Sequence, residues 1–223
     1  MLSRAADNLY WMARYLERAE NLARLADTNS QFLLDAGISP DPKDSTGWQP
    51  ILEVTCLDED FTRCAKDEPE ISILEFLTLS PRNSDSIAKC IALARENARM
   101  VRDQLSEEMW RELNRLHLFL KSPAARDEWE FSPQDFYDRI VRFSLLFQGL
   151  VEATIAQKEG YLFVQVGKYL ERADKTTRIL DIPTHYRGDL PVSPWPTVLR
   201  ATSARSAYIA SRGATIREED ALS

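Results

Sequence analysis

The chain has 223 residues, 44% hydrophobic and 28% charged, with 7 Gly and no long polar low-complexity tract; such a composition supports a sizeable core and excludes a disordered protein. A formal net charge of -7 and a pI near 5.0 give no overall attraction for phosphate backbones, and no local basic patch stands out, so no nucleic-acid partner is expected. No stretch approaches the roughly 18 uncharged apolar residues of a membrane-spanning helix.

The opening "MLSRAADNLYWMARYLERAEN" carries charges throughout and lacks an apolar h-region, so it does not read as a secretory signal. Cys56, Cys64 and Cys90 form no CxxC spacing, and an odd number of thiols without a framework fits a reducing compartment; the expected location is the cytoplasm.

Helical periodicity dominates, and strand signals are nearly absent. On a wheel advancing about 100° per residue, Leu9, Trp11, Met12, Tyr15, Leu16, Ala19, Leu22, Ala23 and Ala26 fill one arc, which predicts a helix from Ser3 to about Asp35 with Gly37 past its end. "GISPDPKDSTGWQP" has loop composition, and "WQPILEVTCLDEDFTRC" reads as a short helix in which Val54 and Thr55 leave a strand open. "SILE" at Ser72 to Glu75 is a capping box that opens a brief helix ended by Pro81. A strong helix follows from about Asp85 to Leu105, with "EEMWRELNRLHLFLK" continuing or following it. "SPAARDEWEFSP" reads as a loop. Long helices then carry "QDFYDRIVRFSLLFQGLVEATIAQ" from Pro133 onward and "GYLFVQVGKYLERADKTTRIL". The Pro-rich "IPTHYRGDLPVSPWP" reads as a loop and "TVLRATSARSAYIAS" as one helix, before a second capping box in "TIRE".

Two of these helices write nearly the same fourteen residues. "RYLERAENLARLAD" at Arg14 to Asp27 and "KYLERADKTTRILD" at Lys168 to Asp181 align at an offset of 154, with Tyr15 to Ala19 recurring unchanged as Tyr169 to Ala173. Such agreement between unrelated helices is improbable and predicts an internal duplication. The expected fold is therefore an all-α helical bundle, one domain over residues 1–223, with a first copy at about 1–121 and a second at about 155–223. Nothing after Ser223 answers "FLTLSPRNSDSIAKCIALARENARMVRDQL", so the second copy reads as incomplete at its C-terminus, leaving apolar surface for another partner.

Glu17 lies opposite the apolar arc, beside Arg14, Arg18, Asn21 and Arg24; Glu171 lies among Lys168, Arg172 and Arg178. Exposed helix faces of this kind usually carry ion pairs worth a few tenths of a kcal/mol. Here, though, Tyr10 and Leu25 flank Glu17, Val164 and Ile179 flank Glu171, and the position one turn before each is small, Ala13 or Gly167. Apolar flanks with a small neighbour point to another helix crossing there and to buried carboxylates that need partners. Three readings stay open: a structural polar seam pairing Glu17 and Glu171 with Arg172, Arg18 or Arg95, Arg99 and Arg102; an anion- or carboxylate-binding site; and a plain surface. No metal or cofactor is expected. A di-iron bundle needs Glu-x-x-His, whereas Glu20 and Asp174 stand three residues after the two glutamates, and the two histidines, His117 and His185, lie elsewhere. Neither nucleophile elbow nor P-loop nor GxGxxG occurs.

Four segments, "LYWMARYLERAENLARLAD", "FLTLSPRNSDSI", "ARENARMVRDQLSEEMWRELNRL" and "GKYLERADKTTRILD", in that order, resemble the bacterial alpha-E family, named for an all-helical domain with a recurring Glu-Arg motif. Its motif falls on Glu17, Arg18, Glu171 and Arg172, with "ARENAR" giving Arg95, Glu96, Asn97 and Arg99. Members usually run on for several more helices past the point matching Ser223. The resemblance implies circularly permuted ATP-grasp ligases and transglutaminase-like proteins as partners, and a role in making or modifying peptides or amide bonds. The leading expectation is a non-catalytic accessory subunit. The alternatives are an enzyme or an anion- or carboxylate-binding module using the Glu-Arg pairs, and a homo-oligomeric scaffold.

Overall fold

A computed structural model describes residues 1–41, 45–186 and 192–216. They form α-helices and no strand: α1 (Ser3–Asp35), α2 (Ser45–Thr55), α3 (Asp58–Asp67), α4 (Ile73–Thr78), α5 (Ile87–Met100), α6 (Glu107–Leu120), α7 (Pro123–Phe131), α8 (Pro133–Thr154), α9 (Glu159–Leu180), α10 (Ile182–His185), α11 (Trp195–Ala201) and α12 (Arg205–Arg212). The all-α expectation holds, and α1 has the predicted bounds. No helix among the described residues is long and apolar enough to cross a membrane.

Local chemistry explains where the helices start and stop. Gly37 adopts φ 67° and closes α1 as a Schellman turn, with the Ile38 amide on the Leu33 carbonyl and the Gly37 amide on that of Leu34. Ser72 caps α4 by accepting from the Glu75 amide, as the capping box predicts. Ser86 and Ser106 do the same for α5 and α6. Between those two helices the chain tightens into a 3-10 turn at Arg102–Gln104, so α6 follows α5 rather than continuing it.

Several loop expectations are corrected. Residues 123–131 form α7, with Pro123 in the first turn, where its missing N–H costs nothing. Residues 182–185 form the single turn α10, again opened by a proline, Pro183. Helix α2 begins at Ser45, ahead of Trp48, and carries Pro50 inside it. The segment read as one helix over "WQPILEVTCLDEDFTRC" is two, parted at Cys56, whose φ of 57° makes the same Schellman turn that Gly37 makes. Likewise "TVLRATSARSAYIAS" splits into α11 and α12 at Ser203, φ 61°. Of the second capping box, Arg217 and Glu218 lie outside the described residues.

The chain divides into two compact units, Met1–Ala23 with Leu77–Ala173, and Arg24–Phe76 with Asp174–Ser223. In the first, α5 to α8 and the early turns of α1 and α9 bury an apolar core that includes Leu9, Met12, Ile87, Leu113, Phe136 and Phe147. Tyr137 sits in it with its hydroxyl satisfied by Thr78 and the Trp129 indole, which removes the cost of burying a phenol. The second unit is built around the fully buried Trp48 with Leu33, Ile51 and Ile182. There α10 packs on α2, His185 meets Glu53 at 2.7 Å, and Tyr186 donates to Asn29.

Candidate functional site

Within the first unit α1 and α9 lie side by side and run the same way. The Met1 ammonium reaches Glu159, Gly160 abuts Leu9, and Gly167 sits against Ala13. A side chain added at Gly167 would collide with the Tyr10 carbonyl and come within 3.1 Å of the Ala13 methyl. Small residues at this crossing let the backbones approach closely, and that approach sets the reach of the charged side chains one turn further on.

There the two motifs pair reciprocally. Arg172 donates from Nε to Glu17 Oε1 at 2.6 Å and from Nη2 to Oε2 at 3.0 Å. Arg18 donates from Nε to Glu171 Oε1 at 2.7 Å and from Nη2 to Oε2 at 3.1 Å. Each glutamate thus takes a two-point clamp from the arginine that follows the other glutamate, a planar fork matched to a carboxylate. Arg14 adds Nε to Glu171 Oε2 at 2.7 Å while its Nη1 donates to the Tyr10 hydroxyl. The carboxylates are dry: Glu171 is 0% and Glu17 4% exposed. Burial pushes the Glu17 carboxyl above the ordinary glutamate range, and the Arg172 bonds work against that rise. Arg18 is held firmly protonated, because Glu171 and Asp85 outweigh the penalty of burying its charge.

Beside Glu17 lies a cleft of about 360 Å3 counted to its open mouth, lined by Ser144, Phe147, Gln148, Val164, Gln165 and Lys168 among others. Its closed part has room for about one water molecule. Glu20, buried next to the motif, accepts from Ser144 and from Gln148 of α8.

The other expected site residues divide. Lys168 lines the cleft and stacks on the Tyr169 ring at 4.4 Å. Asn21 is buried with an amide nitrogen that makes no hydrogen bond among the described residues. Arg24 and Arg178 belong to the second unit, where Arg178 bonds Asp174. The arginines of α5 do not pair with the motif glutamates, contrary to one form of the seam reading. Arg95 bonds Asn114 and Glu96 and covers Trp110, Arg99 bonds Glu96, Asn97 folds back on the Leu93 carbonyl, and Arg102 reaches the Leu105 carbonyl. Their side chains are spent close by along the sequence or across to α6. Sequence reasoning missed Asp85, which takes the Arg18 Nη1 at 2.6 Å, together with Tyr10, Glu20 and Ser144. Only the Asn-Ser-Asp-Ser run ahead of α5 marked Asp85, and nothing local tied it to Arg18. Among the described residues no group of three or more His, Cys, Asp or Glu is placed to hold a metal ion.

An all-helical chain that writes a Glu-Arg pair on two parallel helices and crosses the pairs over is a motif-defined helical domain. The chain belongs to the Alpha-E family, described as a predicted alpha-helical domain with a conserved ER motif, whose model matches residues 1–223. No curated protein and no solved structure matches it.

Proposed function

We propose that this chain is a helical accessory protein that acts with an ATP-grasp-type amide ligase and transglutaminase-like proteins in peptide synthesis or modification, its Glu-Arg motif serving as a structural seam. One observation carries the accessory role: both oxygens of Glu17 and of Glu171 are taken by arginines of the same unit. A carboxylate so clamped is a poor general base and a poor ligand for an amine, whereas a buried reciprocal clamp fixes the register of two helices. The partner classes rest on the resemblance of the four motif segments. The test is co-purification of the tagged chain from its native host with identification of what comes down. Recovery of an ATP-grasp or transglutaminase-like protein supports the reading, and its consistent absence at native expression overturns it.

A second reading keeps an acid-base or amine-binding role for Glu17, and the cleft favours it. A carboxyl raised by burial beside Ser144, Gln148 and Lys168 is the kind of group that holds a proton near neutrality.

A further inference from the structure

Arg18 and Arg172 occupy equivalent places in the two motif copies and make the same clamp with Nε and Nη2. They differ in the third nitrogen. Arg18 Nη1 holds Asp85, the residue just before the Ser86 cap of α5, at 2.6 Å. Arg172 Nη1 makes no hydrogen bond or ion pair among the described residues, and its side chain is 43% exposed against 15% for Arg18.

The apolar residues beside the two arginines differ in the same sense. In α1, Leu9 is 1%, Met12 0% and Leu16 6% exposed; their counterparts in α9, Phe163, Val166 and Leu170, are 38%, 54% and 49% exposed. With Leu162 and Tyr169, also exposed, they form a stripe at i, i+1, i+4, i+7 and i+8 on one side of α9, which is the pattern of a helix face built to be covered. Tyr169 connects stripe and arginine, since Arg172 lies over its ring at 6.0 Å, as Arg18 lies over Tyr15 at 5.7 Å.

We propose that the α9 stripe with Arg172 is a docking seat for an amphipathic helix of a partner protein, one that carries an acidic residue just ahead of its N-cap and a small-apolar face like that of α5. What α5 brings to α1 gives the chemistry: an Asp for the open guanidinium nitrogen, then Ile87, Cys90, Ile91, Ala94 and Ala98 on the buried side. The partner's carboxylate would receive Arg172 Nη1 while Glu17 keeps Nε and Nη2, and the helix N-terminus would add its favourable dipole to no charge of the wrong sign, since the acid sits at that end. Recognition is thus of the helix-in-groove kind, with one charge fixing the register.

This seat deepens the accessory-protein reading and rests on it; the test addresses the surface alone, so its failure removes the seat and leaves the co-purification to decide the reading. A peptide of the chain's own residues 79–101, stapled across Ala92 and Glu96 so that helix formation is prepaid, is titrated into the full-length chain under reducing conditions and followed by fluorescence anisotropy. Expected are saturable binding, a loss of at least tenfold on Val166→Glu in the protein, and a several-fold loss on Asp85→Asn in the peptide. Val166 is exposed, so circular dichroism should show Val166→Glu folded. No saturation up to about 1 mM peptide, or binding that ignores either substitution, overturns the seat. Concentration-dependent sedimentation of the chain that disappears in Val166→Glu also overturns it, because the occupant is then a second copy.

Discussion

Ala13 and Gly167 touch where α1 crosses α9, and each stands four residues before the glutamate of its own motif. Closest approach of the helices and exchange of their arginines are therefore one arrangement.

Gly167→Ala should destabilise the first unit although Ala is the better helix former. The added methyl meets the Tyr10 carbonyl, which cannot yield without moving α1, and overpacking of this kind costs about 1–3 kcal/mol. Chemical denaturation compares it with Gly149→Ala, where open space surrounds the new methyl and a gain is expected. Equal effects at both sites would refute the close crossing.

Glu171→Gln should cost more than Glu17→Gln. Glu171 neutralises both Arg14 and Arg18, which are mostly buried, so its loss strands charge inside and should cost about 3–5 kcal/mol. Glu17 answers only to Arg172, which reaches water. A double-mutant cycle on Glu17 and Arg172 measures their coupling. Wild-type stability in Glu17→Gln, with loss of function in a reconstituted ligase system, would favour the cleft reading over the seam.

Glu17 should give stability a negative slope with pH just above the ordinary glutamate value of 4.5. Its carboxyl is raised in the fold, so between the unfolded and folded values the native state binds more protons than the unfolded one, and stability falls as pH rises through that window. Subtracting the pH profile of Glu17→Gln isolates the effect. A difference that rises with pH there would show that the arginine clamp outweighs burial.

His117 should act in the opposite direction. Burial first, then Lys121 and Arg95, hold its imidazole below the model value of 6.5. Its contribution is complete above that value and is lost as pH falls through the lower folded one. The slope should vanish in His117→Gln, provided the variant folds at pH 8.

Ser203→Gly should stabilise by roughly 0.5–1 kcal/mol, because the turn closing α11 holds a φ of 61° that glycine adopts without strain. Thermal unfolding reads it directly.

How much of this was legible follows from range. Burial of Glu17 and Glu171 could be read locally, because Tyr10, Leu25, Val164 and Ile179 flank them and Ala13 and Gly167 precede them; that pattern means a crossing whatever the partner. That the crossing partners were α1 and α9 themselves could not be read, nor that Asp85 rather than Arg95 or Arg99 would meet the seam, since those choices depend on contacts far apart in sequence. Gly37 announced its turn, whereas Cys56 and Ser203 make the same turn without glycine and so were hidden inside apparent helices. Helix α7 hid behind Pro123 and Pro133, which here open helices rather than break them.

The parallel run of α1 and α9 has a consequence for the order of events during synthesis. Adjacent helices joined by short loops are antiparallel, so two parallel ones must wait for the intervening chain to return. Glu17 and Arg172 are 155 residues apart, and at about 5–20 residues per second the ribosome leaves that carboxylate without its arginine for roughly 8–30 s. Until then the first motif copy presents Arg18 and an unfilled apolar face, so a nascent-chain chaperone would meet this protein as half of a clasp.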